Sequence, residues 1–379
     1  MNEDRATRYH RLKRQANIAS LAWGVGLLGG LLWSGVSLTL RDAAESVASR
    51  MGASGAWHPS VTVVFYVVFL SLVNELGGLP LGFYGGFVLE RRYGLSNERF
   101  GGWLRDEAKS FGIGVLLASI GAGLIYSFIR VSPDGWWLAA GAVFALFIVG
   151  VTNLAPVLLL PLFYRLKPLD RESLRVRLLS LAERAGARVL GAYEWGLGEK
   201  TKKANAALAG LGTTRRILVS DTMLTEYSEE EIEVVLAHEL AHHVHGDVWK
   251  GIVFESALVV VGFYLASRAL AVLVAPVGLR GAADIAGLPL LLLAAGAVSV
   301  VMLPVAHAMS RAHERRADRF ALDLTGNPGA FISAMRRLGA QHLAEEHPSK
   351  IVQWLFYNHP PIRERIAAAQ AFANRELQV

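Results

Sequence analysis

His238-Glu239-Leu240-Ala241-His242 is an HExxH stretch that follows the mostly apolar run 232–237. On a helix, positions i and i+4 share a face, so both imidazoles can bind one metal ion. Glu239 adjoins the first histidine, where it can act as general base toward a water held at that metal. This is the zinc metallopeptidase pattern, although motifs this short also recur by chance in unrelated helices. Two imidazoles leave such a site incomplete, because a catalytic zinc takes three protein ligands and keeps one position open. The chain has no cysteine, so the third ligand must be a histidine or a carboxylate. His243 and His245 point to other helix faces, while His307 and His313 are alternatives. Glu314 is preferred, because Asp318 lies one turn further on the same face. One carboxylate could then ligate the metal while the other accepts the free N–H of a ligand imidazole. Taken alone, Glu314 and Asp318 would be surface ion-pair partners of Arg311 and Arg315; the upstream HExxH favours ligation.

The elements around these residues follow from local pattern. Ser228-Glu229-Glu230-Glu231 reads as an N-cap followed by first-turn acids, starting the HExxH helix. Residues 169–187 have helical periodicity, while 188–195 and 217–220 read as strands. A polar helix spans 311–324 and is closed by Asn327-Pro328-Gly329. The remainder, 330–379, is helical, with a turn at Asn358-His359-Pro360-Pro361.

Composition places this machinery in a membrane protein. Of 379 residues, 53% are apolar and 18% charged, and the mean hydropathy is +0.36. The uncharged runs 18–40, 58–74, 111–129, 135–162, 269–279 and 285–310 account for the excess, and most approach or exceed the roughly 20 residues of a helical span. Six spans follow: 18–40, 60–88, 111–130, 136–162, 251–276 and 285–310. The second contains Asn74 and Glu75 and would bend at Gly77, Gly78 and Pro80. Glu75 there either faces an interior cavity or marks a break before an interfacial segment. The first apolar segment is too long for a signal-peptide core and is read as a retained helix. Lys and Arg concentrate in alternate connections, which puts both termini and the long polar segment 165–250 in the cytoplasm. The net charge of +6 therefore reports membrane orientation, and no basic-aromatic motif supports a nucleic-acid partner. The expected organisation is four spans over 1–164, the first part of the protease domain over 165–250, two spans over 251–310, and the second part over 311–379.

HExxH followed by ExxxD between membrane spans resembles the type I CAAX prenyl endopeptidases, the integral-membrane zinc gluzincins of a-factor maturation and prelamin processing. The similarity extends to the segments 78–94, 155–169 and 203–222, and to His359-Pro360-Pro361-Ile362-Arg363-Glu364-Arg365, in the family's order. It implies a mainly α, multi-pass bundle enclosing a chamber, with an α+β gluzincin-like domain on its cytoplasmic side. It implies one zinc ion on His238, His242 and Glu314, with Glu239 activating water and Asp318 orienting a ligand histidine. His359 and Arg365 would stabilise the oxyanion, and Asn205 and Ala206 would present backbone to an extended substrate. The chain departs from the family in having Ala241 where glycine stands inside HExxH and in lacking one of the seven eukaryotic spans. It therefore fits a shorter, prokaryotic cell-membrane relative, or the endoplasmic reticulum if eukaryotic. The partners would be the bilayer and a peptide or protein, prenylated or not. Alternatives are a heat-shock-type protease degrading damaged membrane proteins, and a zinc-containing membrane scaffold.

Overall fold

The computed structural model describes residues 4–210 and 215–376. Helix α1 (Arg5–Trp33) is capped by Ser34, and Gly35, at φ +75°, turns the chain into α2 (Val36–Arg50). The run 18–40 is therefore not one span. A left-handed residue that glycine adopts without strain breaks it, and α1 instead extends back through the basic residues to Arg5. Helix α3 (His58–Gly82) runs unbroken past Asn74, Glu75 and Pro80. Beyond it, Phe83–Val88 forms a π-helical segment before α4 (Leu89–Arg92). Gly77 allows α1 to approach: a Cβ there would lie 1.9 Å from the Trp23 ring. Helices α5 (Phe100–Val131) and α6 (Trp136–Leu154) follow, then a second π segment at Ala155–Leu159 and the short α7 (Leu160–Phe163).

The chain next forms a four-stranded sheet from β1 (Leu166–Pro168), β2 (Gly191–Trp195), β3 (Ala206–Ala209) and β4 (Arg216–Ser220), with α8 (Glu172–Arg184) between β1 and β2. The spatial order is β1-β2-β4-β3. β2 and β4 are parallel, and the outer strands are antiparallel to their neighbours. β1 has no clear signature in the sequence, and its Pro168 is tolerated because β1 is an edge. Helices α9 (Asp221–Glu226) and α10 (Glu229–Val244) lead into α11 (Asp247–Leu273).

Helix α12 (Leu288–Thr325) is continuous through Pro304. The membrane segment 285–310 and the polar helix 311–324, expected as separate elements, are thus one rod carrying Glu314 and Asp318. Helices α13 (Pro328–Gln341), α14 (Lys350–Phe356) and α15 (Ile362–Glu376) complete the chain, and 377–379 of the expected C-terminal helical region lie outside the described residues.

Among the described residues, six helical segments are long and apolar enough to cross a membrane. Their packed centre includes Tyr66, Tyr126, Trp136 and Phe263, whereas a separate core under the sheet gathers Leu174, Ile217, Met223, Leu236 and Phe331. The most apolar stretch of 136–163 buries none of its residues within the protein. The bundle is thus mainly α-helical and surrounds a chamber, with the small α+β unit at one end. At that end the basic connections meet: Arg14 pairs with Glu345 at 2.8 Å and Lys203 with Glu90 at 2.8 Å. At the other, Arg41 and Asp284 form a buried pair at 2.6 Å.

Candidate metal centre and active site

Helix α10 begins with a full capping box. The Ser228 hydroxyl accepts from the Glu231 amide at 3.2 Å, and the Glu231 carboxylate accepts from the Ser228 amide at 2.9 Å. Glu231 also accepts from Ser333 and Arg337 at 2.5 and 3.0 Å, tying α10 to α13. The HExxH face is therefore fixed from its first turn, between α12, α13 and β3.

Three side chains converge on one point. His238 Nε2 lies 3.2 Å from Glu314 Oε2, His242 Nε2 lies 3.3 Å from Glu314 Oε1, and the two Nε2 atoms are 3.3 Å apart. Among the described residues this is the group of three potential ligands whose donor atoms gather within 4.8 Å. Glu314 Oε2 is buried and has no partner in hydrogen-bonding geometry. Ligands about 2.0–2.1 Å from a tetrahedral zinc would lie about 3.3–3.4 Å from one another, so the spacing and the N₂O donor set fit such an ion.

Each imidazole is pinned on its far side. His238 Nδ1 lies 2.9 Å from Asp318 Oδ1 and 3.3 Å from Arg365 Nη2, and Arg365 grips Asp318 through Nε at 2.9 Å and Nη2 at 2.5 Å. His242 Nδ1 donates to Asp247 Oδ2 at 3.1 Å, and Asp247 is itself bonded by Arg316 and by Lys250 at 3.3 Å. On binding a cation, an imidazole whose remaining proton sits on Nδ1 would present the Nε2 lone pair to the common point. Burial pulls the His238 pKa down, but the adjoining carboxylates of Asp318 and Glu314 prevail and lift it to about 9. Burial pushes the Glu239 carboxyl above its ordinary range, against the pull of His238 and His242. A carboxyl raised in this way holds a proton more firmly than an exposed one, the direction that favours a group which takes up a proton and passes it on.

A cavity of about 490 Å³ opens onto this point. Glu239, His359 and Arg365 line it, as do Asn205 and Ala206 at the head of β3. β3 pairs with β4 on one side only, and Asn205 is held by its amide on Ser220 Oγ at 2.9 Å. His359 is 55% exposed by side chain, with Nδ1 2.7 Å from Glu314 Oε2. The preferred ligands, Glu239, Asp318, His359, Arg365, Asn205 and Ala206 are thus gathered in one place. His313 stands apart, its Nε2 3.8 Å from Asp247 rather than beside the two imidazoles, and His245 packs on the Phe320 ring. Glu255 is exposed and Glu75 half-buried on their helices, and neither lines this cavity.

Two features were missed. Asp247 has a sequence signal only in hindsight, an acid five residues after His242 with Gly246 between. The basic stretch of α1, read as topology alone, also forms cavity wall. Lys13 and Arg14 line the cavity, and His10 Nε2 bonds the Leu343 carbonyl at 2.9 Å.

Residues 168–373 match the model of peptidase family M48, and 2–165 match that of the CAAX prenyl protease N-terminal region, described as five membrane helices. Among the described residues of that stretch, four helices are long and apolar enough to span, beside the shorter α2. The chain is 30% identical to an uncharacterised metalloprotease, YhfN, of Bacillus subtilis over 315 residues, covering 82% of this chain and 74% of the relative. It is 27% identical to CAAX prenyl protease 1 of Saccharomyces cerevisiae, covering 82% and 73%. The crystal structure of S. mikatae Ste24p shares the fold, with a TM-score of 0.83 at 23% identity over 96% of this chain and 87% of that one. The chain belongs to peptidase family M48, as a multi-pass membrane metallopeptidase of the CAAX prenyl protease type.

Proposed function

We propose that this protein is a zinc endopeptidase that cleaves C-terminal CAAX or related peptides at the cytoplasmic face of a prokaryotic cell membrane. The observation that carries this reading is the triangle of His238, His242 and Glu314 opening onto the cavity lined by Glu239. Zinc on those three residues would polarise the scissile carbonyl and acidify the attacking water. The Glu239 carboxylate takes the proton from that water and delivers it to the leaving amine. Asp318 holds the His238 tautomer through Nδ1. His359, on the exposed turn before Pro360, donates toward the oxygen that gains negative charge, and Arg365 adds its positive charge at the cavity wall. The free edge of β3, from Asn205 and Ala206, pairs with the substrate backbone as an added strand. The CAAX assignment is supported by the yeast relative's name and by the 359–365 turn. The cytoplasmic orientation is supported by the basic connections that meet at the active-site end. Residues 165–250 and 311–379 then act as one protease unit, split by the spans between 251 and 310.

Glu239→Gln tests this. The variant should keep its zinc and lose cleavage of a farnesylated CAAX peptide by at least about a hundredfold. Full, chelator-sensitive cleavage by the variant would refute it. Matched unprenylated peptides in the same assay show whether the lipid is required.

A further inference from the structure

The sequence gives Asp247 no role, yet it is buried to 8% exposure at the metal centre. We propose that Asp247 is the positioning residue of His242 and that Arg316 braces it. The second imidazole is then set by the packing of α11 on α12. This rests on reading His238, His242 and Glu314 as metal ligands.

A neutral imidazole carries one proton, and only the nitrogen without it can bind a cation. Asp247 Oδ2 accepts from His242 Nδ1 at 3.1 Å, which leaves Nε2, the atom 3.3 Å from both His238 Nε2 and Glu314 Oε1, as the ligand atom. The backbone makes this contact available. Gly246, at φ +66°, folds the chain back so that the first residue of α11 reaches the face of α10 carrying His242.

The plainer account is that Asp247 serves only the N-terminus of α11, where a first-turn acid is favourable. The geometry goes further than that. Its Oδ2 is taken by His242, while Oδ1 is shared by Arg316 of α12 and Lys250 of α11. Arg316 stands two residues beyond Glu314, so α12 supplies both a ligand and the brace for the carboxylate that orients another ligand. His313 Nε2, at 3.8 Å from Asp247 Oδ1, is beyond hydrogen-bond distance and leaves that arrangement intact.

The arrangement repeats on the other histidine. His238, Asp318 and Arg365 form the same imidazole–carboxylate–guanidinium series with the same nitrogen, Nδ1, engaged. Both ligand histidines are therefore presented to the common point through Nε2 by the same device, built from unrelated parts of the chain.

The test is zinc affinity, measured on the detergent-purified full chain by competition with a chromophoric chelator, together with the helicity of the metal-free proteins. Wild type should take one zinc per chain. Asp247→Ala should weaken zinc binding about 10- to 100-fold with metal-free helicity unchanged. Asp247→Asn, which keeps the shape and an acceptor oxygen but loses the charge, should lie between the two and decides the matter if the alanine variant does not fold. Either variant holding zinc as tightly as wild type would overturn the proposal. So would a loss of zinc matched by a loss of metal-free helicity, because Asp247 would then be merely structural. Wild type without zinc would instead sink the ligand assignment on which the proposal rests.

Discussion

The two ligand histidines are held by matching series at different depths. His238 leans on Asp318 and Arg365, whose side chains are 6% and 9% exposed. His242 leans on Asp247, equally buried, but the guanidinium behind it, Arg316, is 40% exposed. The first series is closed inside the protein by α15, and the second sits between the first turn of α11 and the polar end of α12, with its guanidinium half-open. Depth changes what each series costs to break. A buried pair is repaid for lost hydration only by its partner, so removing one member leaves a charge that nothing compensates. At the rim, water and salt take over much of that work.

The largest effect should come from breaking the deep series. Asp318→Ala leaves Arg365 buried without its carboxylate and His238 without its acceptor. The expected cost is about 3–5 kcal/mol of stability, read by chemical unfolding of the metal-free protein, with zinc lost as well. Adding Arg365→Met to Asp318→Ala should recover much of that stability, because the stranded charge is gone, while zinc affinity stays low. A double variant as unstable as the single one would show that the deep series is not governed by charge burial.

The same contrast shows what could be read from the sequence. HExxH and ExxxD are local patterns whose helical spacing fixes which face each side chain takes, so His238, His242, Glu314 and Asp318 could be singled out before any fold was known. Ser228 and Glu231 likewise declare their cap by spacing alone. Asp247 could not be found that way, because its reach to His242 depends on the left-handed Gly246. Hydropathy marks where α12 leaves the apolar stretch but not where the helix ends, because the rod continues to Thr325. It also hid the turn at Gly35, which is a backbone event inside an unbroken apolar run. β3, with the sequence Ala206-Ala207-Leu208-Ala209, has weak strand propensity and is a strand because β4 pairs with it.

The smallest expected effect sharpens the comparison most. Arg316→Ala leaves Asp247 beside His242 and keeps Lys250 on the same carboxylate, so the imidazole retains its acceptor and loses only a brace that is partly in solvent. Zinc affinity should fall only a few-fold, well short of the effect of removing Asp247 itself. Because the screening length shrinks from about 10 Å at 0.1 M to about 3 Å at 1 M ionic strength, that few-fold difference between wild type and Arg316→Ala should shrink further in 1 M salt. The stability lost in Asp318→Ala should stay nearly constant over the same range, its pair being sealed from the ions. If salt erased both differences alike, the two series would be equally wet and burial would not be what separates them. If salt left both untouched, Arg316 would be as enclosed in the membrane-bound protein as Arg365 is, and the rim would belong to the interior.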